Sequence, residues 1–338
     1  MPFCACLQKD SILSVFKNNS QSDSIFVTNC FLLSDEYLNE NKVDSALFYL
    51  SKGISVADNS EMQLLIGKLL NFRGYIQLFF KKDYGKAVVD YVNALKIFDR
   101  YNDQQRIMEV QMHLGISNYH LKNYHEALKN LLIAESLALK SNNRSELGII
   151  YSNKGSTLQK IDKINEALVV FEKAQVIFNE LGDELNYARS KFNYLSTLID
   201  EDLYNDFKII DEYYALCLVF EKHQELRSLI TCYIHLGIEH KKLKKFNESI
   251  AYLNKAEKLA IEINEPELLV DIYTQLYHTH EVNLDIENAF TYLKKHNEMH
   301  DSLYQVSQSS VIAELQTQYE TEKKENENIL LKKNAEIR

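Results

Sequence analysis

A small residue recurs at intervals of about 40 residues along most of this sequence, and a period of this length restricts the folds open to the chain. The recurring position is filled by Ala46, Ala87, Ala127, Ala167, Phe207, Ser249 and Ala289. The steps between successive members are nearly identical along the whole column, as their positions in the sequence show. A fixed period of this kind is typical of solenoids, in which each unit packs on its neighbours and buries a continuous core.

Two further columns of small residues share the period. One precedes the first column at a constant spacing and holds Gly115, Gly155 and Gly237, with Gly74 slightly displaced. The other follows the first column by about two helical turns and holds Gly53, Ala94, Ala134, Ala174 and Ala256. Two antiparallel helices approach closely only where one presents little side chain, and glycine inside a helix otherwise costs about 1 kcal/mol. The columns therefore predict seven pairs of antiparallel helices.

The composition also favours an all-helical chain. There are 9 glycines and 2 prolines among 338 residues, well below the roughly 7% and 5% of average usage. Because sheets and long loops depend on such turn residues, all-β and doubly wound α/β folds are excluded. Hydrophobic residues at 46% and charged residues at 25% are ordinary for a folded globular protein. Global disorder is therefore excluded as well.

The pattern resembles the tetratricopeptide repeat, a helix-turn-helix unit with Leu-Gly on its first helix and alanines around an aromatic residue on its second. Leu114-Gly115, followed by Tyr124, Ala127 and Ala134, carries this resemblance. The family unit has about 34 residues, so the longer unit here adds roughly one turn to each helix. The resemblance implies an all-α, right-handed superhelix of about seven repeats over residues 24–308, followed by a long C-terminal helix.

Two units depart from this pattern: one lies around Phe207, and the last has Tyr277 and His296 at the small positions, as expected of a terminal repeat. Around Phe207 the small positions are occupied by Leu195, Phe207 and Tyr214, which predicts a splayed or repacked repeat at which the superhelix bends. At Ser249 the column tolerates a hydroxyl group. We therefore expect Ser249→Leu to destabilise the fold less than Ala127→Leu.

The two ends of the chain form separate segments. Residues 1–23 contain Cys4 and Cys6, whose context resembles the end of an export or lipoprotein signal. A full signal would need a basic start and an apolar stretch of about 7–15 residues before the cleavage site. A trimmed signal and a disordered terminus with two incidental thiols both stay open. Residues 309–338 lack glycine and proline and are rich in Glu and Lys, which predicts a charged, exposed helix.

The C-terminal segment carries a functional resemblance. Repeat arrays that end in a stretch like 313–324 resemble the input regions of Bacteroidetes-type membrane-tethered regulators, where a membrane span and a histidine kinase or helix-turn-helix output follow. The resemblance implies the sensor or scaffold part of a two-component or transcription regulator, on the periplasmic side. It allows a homodimer through a C-terminal coiled coil, and a span would begin only beyond Arg338. A solvated helix that closes the solenoid is the alternative, because the apolar seam is thin.

Net charge and motif content disfavour other classes of function. The formal net charge of −10 at pH 7 argues against nucleic acid as a partner of this chain, since phosphate binding needs a basic face. Neither a phosphate-cradling glycine motif nor a nucleophile elbow occurs. We therefore predict no enzyme activity and no cofactor. His296 and His300 share a helical face, but Asn297 stands where the zincin motif needs Glu, so we predict no metal site.

The binding surface that remains is the groove of the solenoid. In tetratricopeptide repeat proteins the first helix of each repeat lines the concave face, and residues one turn either side of the glycine contact ligands. Carried onto this chain, the resemblance predicts a protein- or peptide-binding groove lined by Met112, Ile116, Tyr119, Ser152, Ser156, Gln159, Phe192, Ser196, Ile234, Ile238, Lys241, Thr274 and His278. The mixed apolar and hydroxyl side chains suit an extended peptide or a partner helix. Met112 and Ile116 replace the Lys and Asn of co-chaperones, which disfavours a chaperone-tail clamp.

Two alternatives to a membrane-tethered sensor stay open. One is a cytoplasmic peptide-binding regulator of the Rap type, which uses repeats of similar length. That family carries a separate N-terminal helical bundle, for which the N-terminal segment here is too short. The other is a passive assembly scaffold. Cys217 and Cys232 lie on successive predicted helices, where they could form a disulfide in the periplasm and would stay reduced in cytosol.

Overall fold

The computed structural model describes residues 23–59, 62–200 and 208–303, and all regular secondary structure within these ranges is helical. The helices are α1 (Asp23–Asn39), α2 (Val43–Asn59), α3 (Gln63–Phe79), α4 (Tyr84–Arg100), α5 (Gln104–His120), α6 (Tyr124–Lys140), α7 (Arg144–Lys160), α8 (Ile164–Leu181), α9 (Glu184–Asp200), α10 (Lys208–Lys222), α11 (Leu226–Lys242), α12 (Phe246–Glu262) and α13 (Pro266–Val282). A further helix, α14, covers residues 286–303. The predictions on Cys4, Cys6, Phe207 and residues 309–338 lie outside the described residues.

The helices pair as the repeat predicts. Helices α1 and α2, α3 and α4, α5 and α6, α7 and α8, and α11 and α12 form antiparallel hairpins, and each hairpin packs on the next along its stack. The chain divides into two compact units, Met1–Tyr204 with α1 to α9 and Asn205–Arg338 with α10 to α14. The division falls within the repeat that the sequence marks as atypical. The all-α array of helix-turn-helix repeats predicted from the sequence is confirmed.

The glycine column marks the closest approach of the two helices in a hairpin. A Cβ atom built on Gly115 would lie 2.6 Å from Cγ of Leu131, and one on Gly155 would lie 2.5 Å from the ring of Phe171. These distances are well below van der Waals contact, so the bulky residue of the second helix fills the space that glycine leaves. Ala127 is fully buried on the second helix of the same hairpin as Gly115. The predicted close contact at the small columns is confirmed.

The turns between helices contain a residue with left-handed backbone geometry. These residues, with φ between 51° and 68°, are Asn41, Lys82, Asn102, Lys122, Asn142, Asp162, Gly182, Gln224, Lys244, Asn264 and Leu284. Asn and Asp, which tolerate this conformation better than most L-residues, fill five of these eleven positions, whereas Lys, Gln and Leu fill five others. The α3–α4 turn is one residue longer than the α5–α6 turn. This extra residue displaces Gly74 from its column.

Ser249 does not fit the sequence-based expectation. Its side chain is fully buried and donates a hydrogen bond of 2.7 Å to the Gly237 carbonyl oxygen. Its oxygen also lies 3.3 Å from Oγ1 of Thr279 on the next hairpin. A leucine at this position would remove both contacts and would be too bulky for the space. The Ser249→Leu substitution should therefore be at least as damaging as Ala127→Leu, not less.

We expect Ala127→Leu to lower the free energy of unfolding by about 1–3 kcal/mol, because the enlarged side chain overpacks the hairpin. Ser249→Leu should lower it by at least as much. The matched control is Ser136→Leu, on the exposed side of α6, which should change stability by less than about 0.5 kcal/mol. Chemical denaturation followed by circular dichroism measures all three. Similar stability of the three variants would contradict the assigned packing.

Candidate ligand-binding groove

The first helices of successive repeats lie side by side within each unit. In the first unit α3 contacts α5, α5 contacts α7 and α7 contacts α9. The second helices α4, α6 and α8 make few or no direct contacts with one another over the described residues. In the second unit α11 contacts α13 in the same way. This closer spacing places the first helices on the inner side of each stack, the surface that the sequence predicts as the groove.

Eight predicted groove residues lie on first helices of the first unit. They are Met112, Ile116 and Tyr119 on α5, Ser152, Ser156 and Gln159 on α7, and Phe192 and Ser196 on α9. Met112 is buried and the other seven are half-buried. The hydroxyl of Ser156 donates to the Ser152 carbonyl oxygen at 3.2 Å. Oγ of Ser152 is buried and has no hydrogen-bond partner among the described residues.

The other five predicted residues lie in the second unit. They are Ile234, Ile238 and Lys241 on α11 and Thr274 and His278 on α13. Nζ of Lys241 donates to Oε1 of Gln275 at 2.9 Å and so links the two helices. The hydroxyl of Thr274 donates to the Val270 carbonyl oxygen at 2.8 Å. The polar side chains on this surface thus make hydrogen bonds within the unit, whereas Ile238 is a half-buried apolar side chain.

A cavity of about 330 Å³ lies among the first helices of the first three repeats. It is lined by Phe31 of α1, by Lys68, Asn71, Phe72 and Tyr75 of α3, and by Arg106 and His113 of α5. Ligand pockets typically have volumes of ~300–1,000 Å³, so this cavity suits one group of side-chain size. None of its residues belongs to the groove predicted from the sequence.

The sequence nevertheless contains a signal for this cavity. Helix α3 begins at Gln63 and α5 at Gln104, so Asn71 and Tyr75 are equivalent to the predicted groove residues Met112 and Ile116. Phe31 holds the position of Asn71 in the preceding repeat. The groove prediction began at the third repeat and therefore missed them. The same register, extended to the first two repeats, finds three of the seven lining residues.

Polar atoms without partners accumulate at this cavity. Oδ1 of Asn71 and Nδ1 of His113 are buried and have no hydrogen-bond partner in the part of the chain that the structure describes. The hydroxyl of Tyr91, whose ring stacks on His113, is a third such atom. A buried polar group without a partner costs about 1–3 kcal/mol, and native structures retain few of them. Buried atoms without partners occur elsewhere in the described ranges too, such as Nδ1 of His240 in the second unit, so this site is marked by the two residues with such atoms, Asn71 and His113, that line a cavity.

The imidazole of His113 is held neutral by its surroundings. Its ring stacks on Tyr91 with centroids 5.4 Å apart, and burial lowers the pKa of His113 to about 4. A neutral imidazole has one nitrogen that donates and one that accepts. The pair recurs in the second unit, where the rings of Tyr213 and His235 lie 5.2 Å apart. There burial, with a smaller effect from Lys242, lowers the pKa of His235 to about 4.

The charge at the cavity is opposite to that of the whole chain. Lys68 and Arg106 line it and no acidic residue does, although the chain has a formal net charge of −10. Arg106 forms an ion pair with Asp103, the residue that caps α5. Lys68 has no ion-pair partner within the described ranges. The cavity therefore combines aromatic walls, unpartnered hydrogen-bonding atoms and an unpaired cation.

Two other kinds of site find no support in the described ranges. Within them, no three His, Cys, Asp or Glu side chains are arranged to hold a metal ion. The rings of His296 and His300 stack with centroids 5.9 Å apart, as their spacing on one helical face predicts. No helix among the described residues is both long enough and apolar enough to cross a membrane.

Comparison with known proteins supports the assignment of the fold. The tetratricopeptide repeat family profile matches residues 230–260, which cover parts of α11 and α12. The apo form of the quorum sensor NprR from B. thuringiensis is 18% identical with a TM-score of 0.68, over 86% of this chain and 80% of that one. This chain folds as a tetratricopeptide-repeat solenoid. No curated protein matches the sequence significantly.

Two further solved structures have a similar fold. The apo form of RapI is 13% identical with a TM-score of 0.66, over 82% of this chain and 99% of that one. A Rap protein in complex with the competence and sporulation factor is 14% identical with a TM-score of 0.61, over 88% of this chain and 80% of that one. At these identities the similarity concerns the arrangement of helices.

The buried state of His113 predicts acid sensitivity. Between pH 6.5, the ordinary pKa, and about pH 4, the unfolded chain binds a proton that the folded chain does not. The free energy of unfolding therefore falls as the pH drops through this window, by about 2 kcal/mol at pH 5. We expect His113→Phe to lose less melting temperature between pH 7 and pH 5 than the wild type. The exposed control His125→Phe should behave like the wild type, and equal acid sensitivity of all three proteins would contradict the neutral state.

Proposed function

We propose that this chain is a non-enzymatic, peptide- or protein-binding solenoid that serves as the sensor part of a signalling regulator. The observation that carries the proposal is the cavity on the inner side of the first unit. Its buried polar atoms lack partners among the described residues, so a bound partner can supply hydrogen bonds that the fold does not make. Binding of this kind stabilises the occupied conformation, which is how a ligand shifts the state of a regulator.

The similar solved structures support a peptide as the partner. One is a quorum sensor and another is a Rap protein in complex with a competence and sporulation factor. Their similarity to this chain extends over 86% and 88% of its length. This similarity favours a cytoplasmic, Rap-like peptide-binding regulator as a second candidate beside the membrane-tethered sensor. A passive scaffold would also bind a partner, but its groove helices would not need to change conformation or stability when the partner binds.

Groove variants test whether the inner surface binds the partner. We expect Tyr119→Asp and Ile238→Asp to reduce capture of the natural partner at least tenfold, because each puts a charge on the inner surface where an apolar contact forms. The matched controls are Val92→Asp and Val176→Asp, whose side chains are exposed on second helices. Quantitative affinity capture measures binding, and thermal melts verify that each variant stays folded. Equal capture by all four folded variants would contradict binding on the inner surface.

Hydrogen exchange separates a sensor from a passive scaffold. A sensor should show slower amide exchange on first helices such as α5 and α7 when the partner binds, because the ligand raises the cost of local opening. Exchange beyond Glu320, in the C-terminal segment for which the sequence predicts a charged helix, should slow as well. Protection confined to second helices, with the first helices and the C-terminal segment unchanged, would support a scaffold and contradict the sensor.

A pair of cysteines reports on the compartment. Cys217 on α10 and Cys232 on α11 are buried, free thiols. Burial raises the pKa of Cys232 well above its ordinary value, and a hydrogen bond with Cys217 raises it further. The two thiols therefore lie close to each other on adjacent helices, and proximity of this kind is what a disulfide requires.

The two candidate locations predict different states of this pair. A periplasmic sensor should contain a Cys217–Cys232 disulfide, whereas a cytoplasmic regulator should keep both thiols reduced. Mass spectrometry of non-reduced peptides from the protein in its native cell distinguishes the two. Cys30 is the internal control, because it is a buried thiol of the first unit, whereas the pair belongs to the second. Two free thiols after export to the periplasm would contradict the predicted bridge.

A further inference from the structure

We propose that the cavity among α1, α3 and α5 receives a tyrosine side chain of an acidic peptide and acts as the anchoring subsite of the groove. The inference rests on the proposed function and specifies the chemistry of the ligand. Three features of the cavity support it: aromatic walls, hydrogen-bonding atoms without partners among the described residues, and positive charge.

The walls of the cavity select an aromatic group. The rings of Phe31 and Phe72 lie 5.1 Å apart at 43°, and those of Phe72 and Tyr75 lie 6.3 Å apart at 22°. All three are half-buried, so each keeps some surface to offer a ligand. A ring placed against them gains edge-to-face or offset contacts that favour it over an aliphatic side chain of similar size.

The unpartnered polar atoms select a ring that carries a hydroxyl. Oδ1 of Asn71 is an acceptor without a donor among the described residues, and the amide rotates about a soft terminal torsion. Nδ1 of His113 also lacks a partner there, but it is enclosed by protein, so the Asn71 amide is the group that a ligand hydroxyl would meet. A phenol supplies both a donor and an acceptor. Phenylalanine would fill the same volume and leave this amide unsatisfied, so tyrosine is the better occupant.

The positive charge selects carboxylates beside the tyrosine. Lys68 has no ion-pair partner in the described part of the chain, whereas Arg106 forms an ion pair with Asp103. Both cations are half-buried, so salt screens them less than fully exposed charges. An acidic residue next to the tyrosine would pair with Lys68. The chain as a whole has a formal net charge of −10 and would repel an acidic peptide. The attraction is therefore restricted to the two cations at this cavity.

Water alone is the competing occupant. Dry cavities in proteins are apolar, whereas polar ones hold water or a ligand. The volume of about 330 Å³ would hold on the order of ten water molecules. Water could pair with the Asn71 amide after it rotates but would leave the three aromatic rings in contact with solvent. The peptide subsite therefore predicts selective binding, and the hydrated cavity predicts none.

Fluorescence anisotropy with labelled octapeptides tests the inference on the full chain. The probe peptide contains one tyrosine flanked by two glutamates, and the comparison peptides replace the tyrosine by phenylalanine or leucine, or the glutamates by serines. We expect the tyrosine peptide to bind about tenfold more tightly than the phenylalanine peptide and more tightly still than the leucine peptide. Serine flanks should weaken binding at least threefold.

Two variants separate binding chemistry from folding. Asn71→Leu should reduce the preference for tyrosine over phenylalanine, an effect that mere loss of stability would not produce. Lys68→Met should weaken the peptide with glutamate flanks and leave the peptide with serine flanks unchanged. Lys96→Met, on the exposed face of α4, is the matched control and should change neither.

The outcomes distinguish this inference from the proposed function. Equal binding of the tyrosine and leucine peptides, or no binding up to millimolar concentration, would overturn the tyrosine subsite. The proposed function would still stand if Tyr119→Asp and Ile238→Asp reduced capture of the natural partner. If those groove variants captured the partner normally, the proposed function would fail whatever the octapeptides did.

Discussion

The close approach of two helices at a glycine is the contact on which the rest of the structure depends. At Gly115 and Gly155 the bulky residues Leu131 and Phe171 of the second helix occupy the space where a Cβ atom would stand. At Gly237 the same space is taken by Leu253. Because this contact fixes the register of each hairpin, successive hairpins stack with the same offset. Every property of the groove follows from that offset, since it decides which side chains of neighbouring first helices lie beside one another.

The chemistry of the groove consequently changes from one repeat to the next, across neighbouring first helices, and not along a single helix. Phe31, Asn71, Met112 and Ser152 occupy equivalent positions on α1, α3, α5 and α7. Along this row the side chains change from an aromatic ring and an amide to a thioether and a small hydroxyl. The cavity with its cations lies at the aromatic and amide end. One fold thus presents several chemical surfaces, and the same backbone positions carry different ligand preferences in different repeats.

The repeat architecture could be predicted from the sequence because small residues are required wherever two helix backbones approach closely. The turns were harder to assign, since residues such as Lys82 and Lys122 adopt left-handed geometry that their composition does not signal. The cost of replacing Ser249 was underestimated because its hydrogen bond to the Gly237 carbonyl oxygen depends on a neighbouring helix. Three of the seven residues that line the cavity follow from the repeat register once it is extended to the first two repeats, whereas the other four depend on how three helices pack together.

A buried charged group near the cavity is paired by the fold. Arg73, two residues after Asn71 on α3, donates two hydrogen bonds of 2.8 and 2.6 Å to the carboxylate of Asp90, which is 4% exposed. A buried carboxylate is costly unless it is paired in this way, and here the fold supplies the partner. Asn71 and His113 lie close by in the same unit and receive none from the described residues. A fold that satisfies a buried charge could satisfy a neutral amide at less cost. The contrast therefore favours a function in ligand binding over imperfect packing as the reason these two side chains are kept.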